Sequence, residues 1–373
     1  MPTFQSEKIL VALSGGVDSA VSAALLVEQG HCIEAVYVRT WEYENDLLAD
    51  CPGAKDLADA EAVAKTLGIP FKVLNYIDFY NREVVQPMVN GYAKGITPNP
   101  DVLCNRKMKF GALLNHALEN RFDSLATGHY CRRIIGKNGK AQLFEGTDKN
   151  KDQSYFLARI TQEQLEHARF PLGELNKDVV RKIAVEKKLP VADKKDSQGI
   201  CFLGKVKITD FLSNFIDDNP GPIVTTHGHK VGEHRGLHRY TLGQRRGIGV
   251  PSNIDYKNFV VTGKNESSNE LIVAFEDPEE STLWDTRYRV HSVSFLGIPS
   301  PKKGIRLLGK TRYRDSSVEL GFEPISSDQA EITFDTSQRA LTPGQVLALY
   351  DGERLIGSGL YSLSSLGRSN LSS

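Results

Sequence analysis

The stretch LSGGVDSAV, residues 13–21, decides the fold of the N-terminal half of the chain. The apolar run KILVALS at 8–14 is typical of a buried parallel strand, and Val21, Ala24 and Leu25 then continue at helical spacing. Two adjacent glycines between a strand and a helix let the backbone approach a ligand where unpaired N–H groups favour an anion. The stretch therefore predicts a phosphate-binding turn.

The turn differs from an ordinary P-loop. The Walker pattern ends in lysine followed by serine or threonine, and no lysine follows Gly16 here. Ser14 and Ser19 add hydroxyl donors, whereas Asp18 would repel a phosphate unless a cation lay between them. We therefore expect a bridging Mg²⁺, the alternative being a turn rich in serine and glycine that binds no ligand.

Strands and helices alternate along the first half of the chain. Further apolar strands are predicted at 33–40, 70–76 and 124–130, with helices at 57–67, from Phe110 onward, and at 175–190. The last of these helices carries apolar side chains that include Val179, Ile183, Val185 and Leu189. This alternation predicts an α/β fold with a doubly wound parallel sheet.

Past residue 205 the pattern changes to short alternating segments. Hairpin signals include the polar turn in NFVVTGKNESSNELIVAF and the Asp351-Gly352 pair. We therefore predict a doubly wound α/β domain at 1–205, a small mixed α+β domain at 206–280 and a C-terminal β-barrel domain at 281–373.

The composition disfavours several classes of protein. Lys plus Arg and Asp plus Glu each number 46, so the net charge is zero and does not by itself favour a polyanionic partner. No stretch approaches the roughly 20 apolar residues of a membrane helix, so we expect a cytoplasmic protein without a membrane partner. The five scattered cysteines, without a C-x-x-C pair, disfavour a secreted disulfide framework and a four-ligand zinc site.

Two of the cysteines stand in polar stretches that we predict to be loops. Cys104 follows the Pro-rich turn TPNPDVL and has Arg106 and Lys107 beside it, and basic neighbours favour the nucleophilic thiolate. Cys201 lies two residues after a glycine in KKDSQGICFLG. Both settings favour a reactive thiol over a packed one.

A series of motifs then occurs in one order along the chain. They are SGGVDS, NPDVLCNRKMKFG, ATGHY, NKDQSYFL, DSQGICFLG, HRYTLGQRRGIGV and LTPGQ. In this order they resemble the tRNA-specific 2-thiouridylase family of the PP-loop ATP pyrophosphatases, from residue 9 to about 360. The resemblance implies an adenine-nucleotide alpha hydrolase-like N-terminal domain and an ATP-dependent tRNA-uridine 2-sulfurtransferase.

The resemblance also implies a nucleotide site. Its ATP-binding residues are Ala12, Leu13, Ser14, Gly15, Gly16, Val17, Asp18, Ser19, Val38 and Gly128. ATP, bound with Mg²⁺, would transfer AMP to the 2-carbonyl oxygen of a uridine, which is otherwise a poor leaving group.

The sulfur chemistry implied by the resemblance uses both cysteines. A persulfide on Cys201 would deliver sulfur to the activated carbon, and Cys104 would attack the persulfide, leaving a Cys104–Cys201 disulfide. Asp101 is placed to be a general acid or base on the uracil ring. A cysteine desulfurase or a sulfur-relay protein would supply the persulfide sulfur.

The RNA partner implied by the resemblance is tRNA with a wobble uridine, in the Lys, Glu and Gln isoacceptors. Its expected contacts are Asn99, Pro100, Asp101, His129, Lys151, Asp152, Gln153, Arg312, Tyr313 and Gln345. Basic residues concentrated at 229–250 and 301–316 would meet phosphates, and Tyr313 would stack on a base. Solvated surface charge is the alternative for both stretches.

Two other functions stay open from the sequence. An amide-forming ATP pyrophosphatase shares the loop but has no use for two reactive cysteines. A non-catalytic RNA-binding module with a nucleotide-sensing domain would bind ATP without turning it over.

Overall fold

The computed structural model describes residues 6–42, 53–196, 207–251, 258–275 and 283–362. The strands of the N-terminal half are β1 (Lys8–Ala12), β2 (Cys32–Arg39), β3 (Phe71–Asn75), β4 (Ser124–Ala126), β5 (Cys131–Ile135), β6 (Ala141–Glu145) and β7 (Ala168–Arg169). The helices there are α1 (Val17–Glu28), α2 (Gly53–Leu67), α3 (Ile77–Tyr80), α4 (Gln86–Ala93), α5 (Pro100–Leu103), α6 (Leu114–Glu119), α7 (Gln162–Glu166) and α8 (Lys177–Glu186). Wider π-helical turns follow α3 at Asn81–Val85 and α5 at Cys104–Leu113, and a 3₁₀ turn spans Ser154–Leu157.

A five-stranded parallel sheet forms the first layer, in the order β3-β2-β1-β4-β7. Side chains of β1 alternate between its two faces because successive residues of a strand point in opposite directions. Ile9 and Val11 pack under α1, α2 and α8, whereas Leu10 packs with Phe110 and Leu113 on the other face. Both faces are therefore covered, and the predicted doubly wound sheet is confirmed.

The buried face of α8 is formed by only part of its apolar residues. Val180 and Ala184 are fully buried, whereas Val179 and Val185 are 39% and 60% exposed. The small Ala184 lies on the side of α8 that packs against α1, and Lys177 lies on the same stripe. The buried face of α8 therefore combines small apolar side chains with one charged side chain.

The second half of the chain is mostly strand. Its elements are α9 (Ile208–Leu212), β8 (Gly221–Thr225), β9 (Lys230–His234), a 3₁₀ turn (Leu237–Arg239), β10 (Phe259–Asn265), β11 (Glu270–Phe275), β12 (Trp284–Phe295), β13 (Ile305–Lys310), β14 (Val318–Pro324), β15 (Ala330–Arg339), β16 (Val346–Asp351) and β17 (Arg354–Tyr361). A four-stranded mixed sheet has the order β10-β11-β8-β9. The predicted β10–β11 and β16–β17 hairpins are both confirmed.

The last six strands close into an antiparallel barrel. Their order is β12-β15-β14-β13-β16-β17, and β17 pairs back with β12. The hairpin β5–β6, which belongs to the N-terminal half, adds to β17 through the pairs Arg354↔Phe144 and Leu355↔Leu143. The barrel is thus joined to the first half by a shared sheet. Within the described ranges no helix is long and apolar enough to cross a membrane.

Candidate active site

The phosphate turn lies between β1 and α1, at the carboxyl edge of the parallel sheet. Gly15 has φ +73°, and a Cβ there would fall 2.2 Å from the carbonyl oxygen of Asp56, so only glycine fits. The hydroxyl of Ser19 donates to the carbonyl of Gly16 at 3.1 Å and accepts from the backbone N–H of Ser14 at 3.1 Å. These contacts hold the turn open in front of the first N–H groups of α1.

Two other expected nucleotide residues lie at the same edge of the sheet. A Cβ on Gly128 would lie 2.8 Å from backbone atoms of Asp18 and Ser19, so glycine lets the end of β4 approach the first turn of α1. Val38, near the end of β2, is half-buried against the apolar cluster that contains Cys104. The structure thus brings the expected ATP residues of three strands together.

Asp18 is paired with a lysine that the sequence interpretation missed. Its Oδ1 accepts hydrogen bonds from Lys177 Nζ at 2.6 Å and from the hydroxyl of Tyr130 at 2.7 Å. The Lys177 side chain is 9% exposed and comes from the first turn of α8. Its place on the buried stripe of α8, with Val180 and Ala184, is the signal that could have found it.

Asp196 joins this lysine to a larger ion-pair network. Its Oδ1 contacts Lys177 at 2.8 Å and Arg181 at 2.6 Å, and its Oδ2 contacts Lys151 at 2.8 Å. Burial opposes ionisation, but the hydrogen bonds from Lys151 and Lys177 outweigh it and lower the pKa of Asp196 to about 2. Lys151, an expected tRNA contact, is therefore connected to the phosphate turn.

The turn offers one carboxylate to a cation. Among the described residues no group of three or more His, Cys, Asp or Glu side chains could hold a metal ion. Asp18 is the acidic residue of the turn, and its side chain is 33% exposed. The arrangement therefore fits a cation held mainly by phosphate oxygens, with Asp18 as its protein neighbour.

Cys104 lies on a helix, and the prediction of a loop is wrong. Asn99 caps α5, because its Oδ1 accepts the N–H of Val102 at 3.1 Å, and Pro100 occupies the first turn. The helical turns continue through Cys104 to Leu113. The Asn99-Pro100 pair therefore starts a helix.

The surroundings of Cys104 are apolar. Its side chain is 1% exposed, in a cluster that includes Tyr80, Met88 and Phe211. Asp101, one turn earlier, is half-buried. Cys201, with residues 197–206, lies outside the described part of the chain, so no distance relates the two thiols.

The C-terminal barrel contacts the segment just before the helical stretch of residues 100–113, which contains Cys104 and is called the cysteine helix below. The N–H of Thr97 donates to the carbonyl of Pro343 at 2.9 Å. Gly344 has φ +84°, and a Cβ there would fall 2.2 Å from Cγ2 of Ile96. The LTPGQ turn at 341–345, which includes the expected tRNA contact Gln345, thus packs directly against residues 96–97.

His129, an expected tRNA contact, is a buried neutral residue. Its ring is 8% exposed, and Nδ1 lies 2.7 Å from the hydroxyl of Thr127. Burial, and then the positive charge of Lys109, lower its pKa well below the ordinary value. A neutral imidazole can donate one hydrogen bond and accept another, but it carries no positive charge to attract a phosphate.

Asp152, another expected tRNA contact, lies at the junction with the barrel. It accepts hydrogen bonds from the N–H groups of Gly146 at 3.0 Å and Ser154 at 3.1 Å, and it contacts Lys310 Nζ at 3.0 Å. Lys310 also contacts Glu145 at 2.6 Å. A lysine of the second basic stretch is therefore buried in the protein instead of facing RNA.

Tyr313 packs against another aromatic residue beside this junction, with the two ring planes tilted by 37°. Its ring centroid lies 4.3 Å from that of Phe156, and both rings are half-buried. Phe156 follows the expected contact Gln153, whose Oε1 accepts the N–H of Tyr130 at 3.2 Å. Arg312 donates to the carbonyls at positions 339 and 340, at 2.8 and 2.9 Å.

Many side chains of the basic stretches have acidic partners on their own surface. These pairs are Lys230–Glu233, Arg235–Asp218, Arg239–Asp218, Lys303–Glu323, Arg306–Glu319 and Arg306–Asp335. The pairs reduce the positive charge that the two stretches present to a polyanion.

The fold and the turn define a class: an α/β protein with a phosphate-binding turn at the carboxyl edge of its sheet. Three family models match the chain in succession: a tRNA methyl transferase HUP domain at 7–205, a tRNA methyl transferase PRC-barrel domain at 209–275 and an aminomethyltransferase beta-barrel domain at 285–360.

Relatives of known name match along nearly the whole chain. The tRNA-specific 2-thiouridylase MnmA of Akkermansia muciniphila is 47% identical over 95% of this chain and 98% of its own, and that of Proteus mirabilis is 42% identical over 95% and 96%. A solved NMN synthetase from Francisella tularensis aligns at 17% identity over 54% of this chain and 69% of its own, with a TM-score of 0.34. The chain belongs to the tRNA-specific 2-thiouridylase family, as the resemblance predicted.

Proposed function

We propose that this chain is an ATP-dependent tRNA-uridine 2-sulfurtransferase that converts the wobble uridine to 2-thiouridine, with AMP and pyrophosphate as products. One observation carries the proposal: Val38, at the nucleotide edge of the sheet, packs against the apolar cluster that contains Cys104. Val38 thus belongs both to the expected nucleotide site and to the apolar surroundings of the Cys104 thiol. A nucleotide sensor would have no use for that arrangement.

Adenylation is the first step. The uridine O2 attacks the α-phosphate of ATP, and pyrophosphate leaves while the N–H groups at the start of α1 hold its charge. Mg²⁺, bound to the nucleotide beside Asp18, would neutralise phosphate charge. Ser14, Ser19 and the two glycines of the turn orient the leaving group, because their contacts hold the loop in one conformation.

Sulfur transfer follows adenylation. The terminal sulfur of a Cys201 persulfide adds to C2, and AMP leaves with the original oxygen. The Cys104 thiolate then attacks Sγ of Cys201, the S–S bond to the transferred sulfur breaks, and its electron pair completes the thiocarbonyl. The resulting Cys104–Cys201 disulfide is reduced before the next cycle, and Asp101 moves the proton on the uracil ring.

The substrate and donor follow from the family. We propose tRNAs for Lys, Glu and Gln as substrates in the cytoplasm, with the persulfide supplied by a cysteine desulfurase or a relay protein. We also propose catalytic, mixed and barrel domains at 1–205, 206–280 and 281–373. The parallel sheet, the four-stranded mixed sheet and the six-stranded barrel lie in these ranges in turn, and the β5–β6 hairpin of the first range extends the sheet of the barrel. A flipped wobble base would be read near Tyr313, Asn99 and His129.

A thiolation assay tests the proposal. Purified protein, tRNA, ATP with Mg²⁺ and a persulfide donor should yield 2-thiouridine, measured by mass spectrometry of the digested tRNA. Cys104→Ser and Cys201→Ser should reduce the product to background while ATP binding persists. Cys32→Ser, which changes an exposed thiol, is the matched control.

Pyrophosphate release separates the remaining alternatives. A sulfurtransferase releases pyrophosphate when tRNA is added, whereas a sensor releases none. An amide-forming enzyme would keep its full turnover in both cysteine variants. Full thiolation by Cys201→Ser would contradict the persulfide role.

A further inference from the structure

Lys177 is a buried lysine whose ammonium group lies at the phosphate turn. Its side chain is 9% exposed, and Nζ lies 2.6 Å from Asp18 Oδ1 and 2.8 Å from Asp196 Oδ1. Burying an ammonium group is costly unless it is paired and hydrogen-bonded, and these two carboxylates supply the pairing. The lysine is therefore held in a fixed position.

The hydrogen-bonding capacity of Lys177 is not filled by these partners. An ammonium group has three N–H donors, and the contacts to Asp18 and Asp196 use two of them. In the described ranges the third donor has no oxygen acceptor, although the group lies 5.7 Å from the ring centroid of Tyr130. A ligand oxygen at the turn would complete its coordination.

Lys177 lies on the side of the turn where a bound phosphate would meet the free N–H groups of α1. Asp18 is the second residue of α1, in the turn whose free N–H groups face the ligand, and α8 packs beside α1. The missing lysine of the Walker pattern thus has a spatial counterpart on a different helix. A lysine binds phosphate as a compact point charge, so its origin in the sequence is immaterial.

We propose that Lys177 binds the pyrophosphate part of ATP through its third N–H, and that Asp196 is the positioning residue that holds it there. The inference rests on the proposed function in taking ATP as the ligand. Asp18 would then lie beside the nucleotide's cation while it accepts hydrogen bonds from Lys177 and from the hydroxyl of Tyr130.

Calorimetry of the full chain tests this role without tRNA. Lys177→Met should weaken ATP and inorganic pyrophosphate binding on the order of 10- to 100-fold, the effect of losing a hydrogen bond to a charged group. Adenosine binding should change less than about 2-fold, because it lacks phosphate; this also shows that the variant is folded. Lys182→Met, on the exposed face of α8, is the matched control.

A second comparison separates phosphate binding from mere neutralisation of Asp18. If Lys177 binds phosphate, Lys177→Met should still weaken Mg²⁺-free pyrophosphate binding when Asp18→Asn is already present. Asp196→Asn should weaken pyrophosphate binding less than Lys177→Met does. Equal affinities of Asp18→Asn and the double variant would overturn the proposal. Absence of thiolation would leave this readout intact, so the two proposals fail separately.

Discussion

The N–H of Thr97 donates to the carbonyl of Pro343 at 2.9 Å, so the barrel holds the segment that leads into the cysteine helix. The next barrel residue, Gly344, leaves no room for a side chain because Ile96 lies against it. The barrel therefore positions the segment that precedes the candidate active-site residues Asn99 to Cys104, in addition to its expected contacts with tRNA.

Gly344→Ala should lower thiolation because the new Cβ would push residues 96–97 away from the barrel. The positive φ costs about 1–2 kcal/mol, and a displacement near the site of about 1 Å can cost on the order of 100-fold in rate. Denaturant unfolding and initial thiolation rates measure the two effects. Gly352→Ala is the control: it has φ +58°, but within the described residues a Cβ there has no atom within 4 Å. Equal rate losses in both variants would contradict the positioning role.

Gly128→Ala should displace the phosphate turn, because the new Cβ would press against the first turn of α1. Its Cβ would lie 2.8 Å from the backbone of Asp18 and Ser19, and overpacking of this kind costs about 1–3 kcal/mol of stability. We expect weaker ATP binding, measured by calorimetry. Gly321→Ala in the barrel serves as a control because its nearest contact would be the carbonyl of Thr333 at 3.9 Å. Unchanged ATP affinity in Gly128→Ala would contradict this prediction and would mean that the turn can shift without a loss of ATP binding.

Much of the sheet was predictable because alternation and turn chemistry are local. Strands β1 to β4 and the β16–β17 hairpin follow from the spacing of apolar residues around glycine-rich turns. The addition of β5–β6 to β17 depends on an edge that only the folded barrel offers, and no local pattern encodes it.

The site was predictable where a motif is contiguous and not where charges meet from distant elements. Ser14 to Ser19 are contiguous and span the turn from β1 into α1, so their expected role follows from their order. Lys177 and Asp196 reach the loop only through packing of α8 on α1. The prediction of a loop at Cys104 is wrong because the Asn99 cap starts a helix there, although the neighbours of the cysteine are basic.

Lys310→Met should destabilise the junction between the barrel and the first half of the chain. Lys310 is 11% exposed and contacts both Glu145 and Asp152, so its removal would leave two acidic groups without this cation. Breaking a buried ion pair from one side costs about 3–5 kcal/mol. Denaturant unfolding measures the loss, and Lys303→Met, with a side chain 76% exposed, should cost less than about 1 kcal/mol. Similar losses of unfolding free energy in Lys310→Met and Lys303→Met would mean that the buried ion pairs of Lys310 do not stabilise the junction more than an exposed pair does.

His129 should make the protein less stable in mild acid. Its pKa is lowered in the folded state by burial and by Lys109, so below pH 6.5 the unfolded chain binds a proton that the folded chain does not. The free energy of unfolding should therefore fall as the pH drops from 6.5 toward the folded pKa, by up to about 1.4 kcal/mol per pH unit. His129→Asn keeps a polar group near Thr127 but cannot titrate, so its stability should depend less on pH between 7 and 5.5. His227→Asn, on an exposed turn, is the control. An identical pH profile for His129→Asn and the unmodified chain would mean that the buried imidazole gains its proton without unfolding.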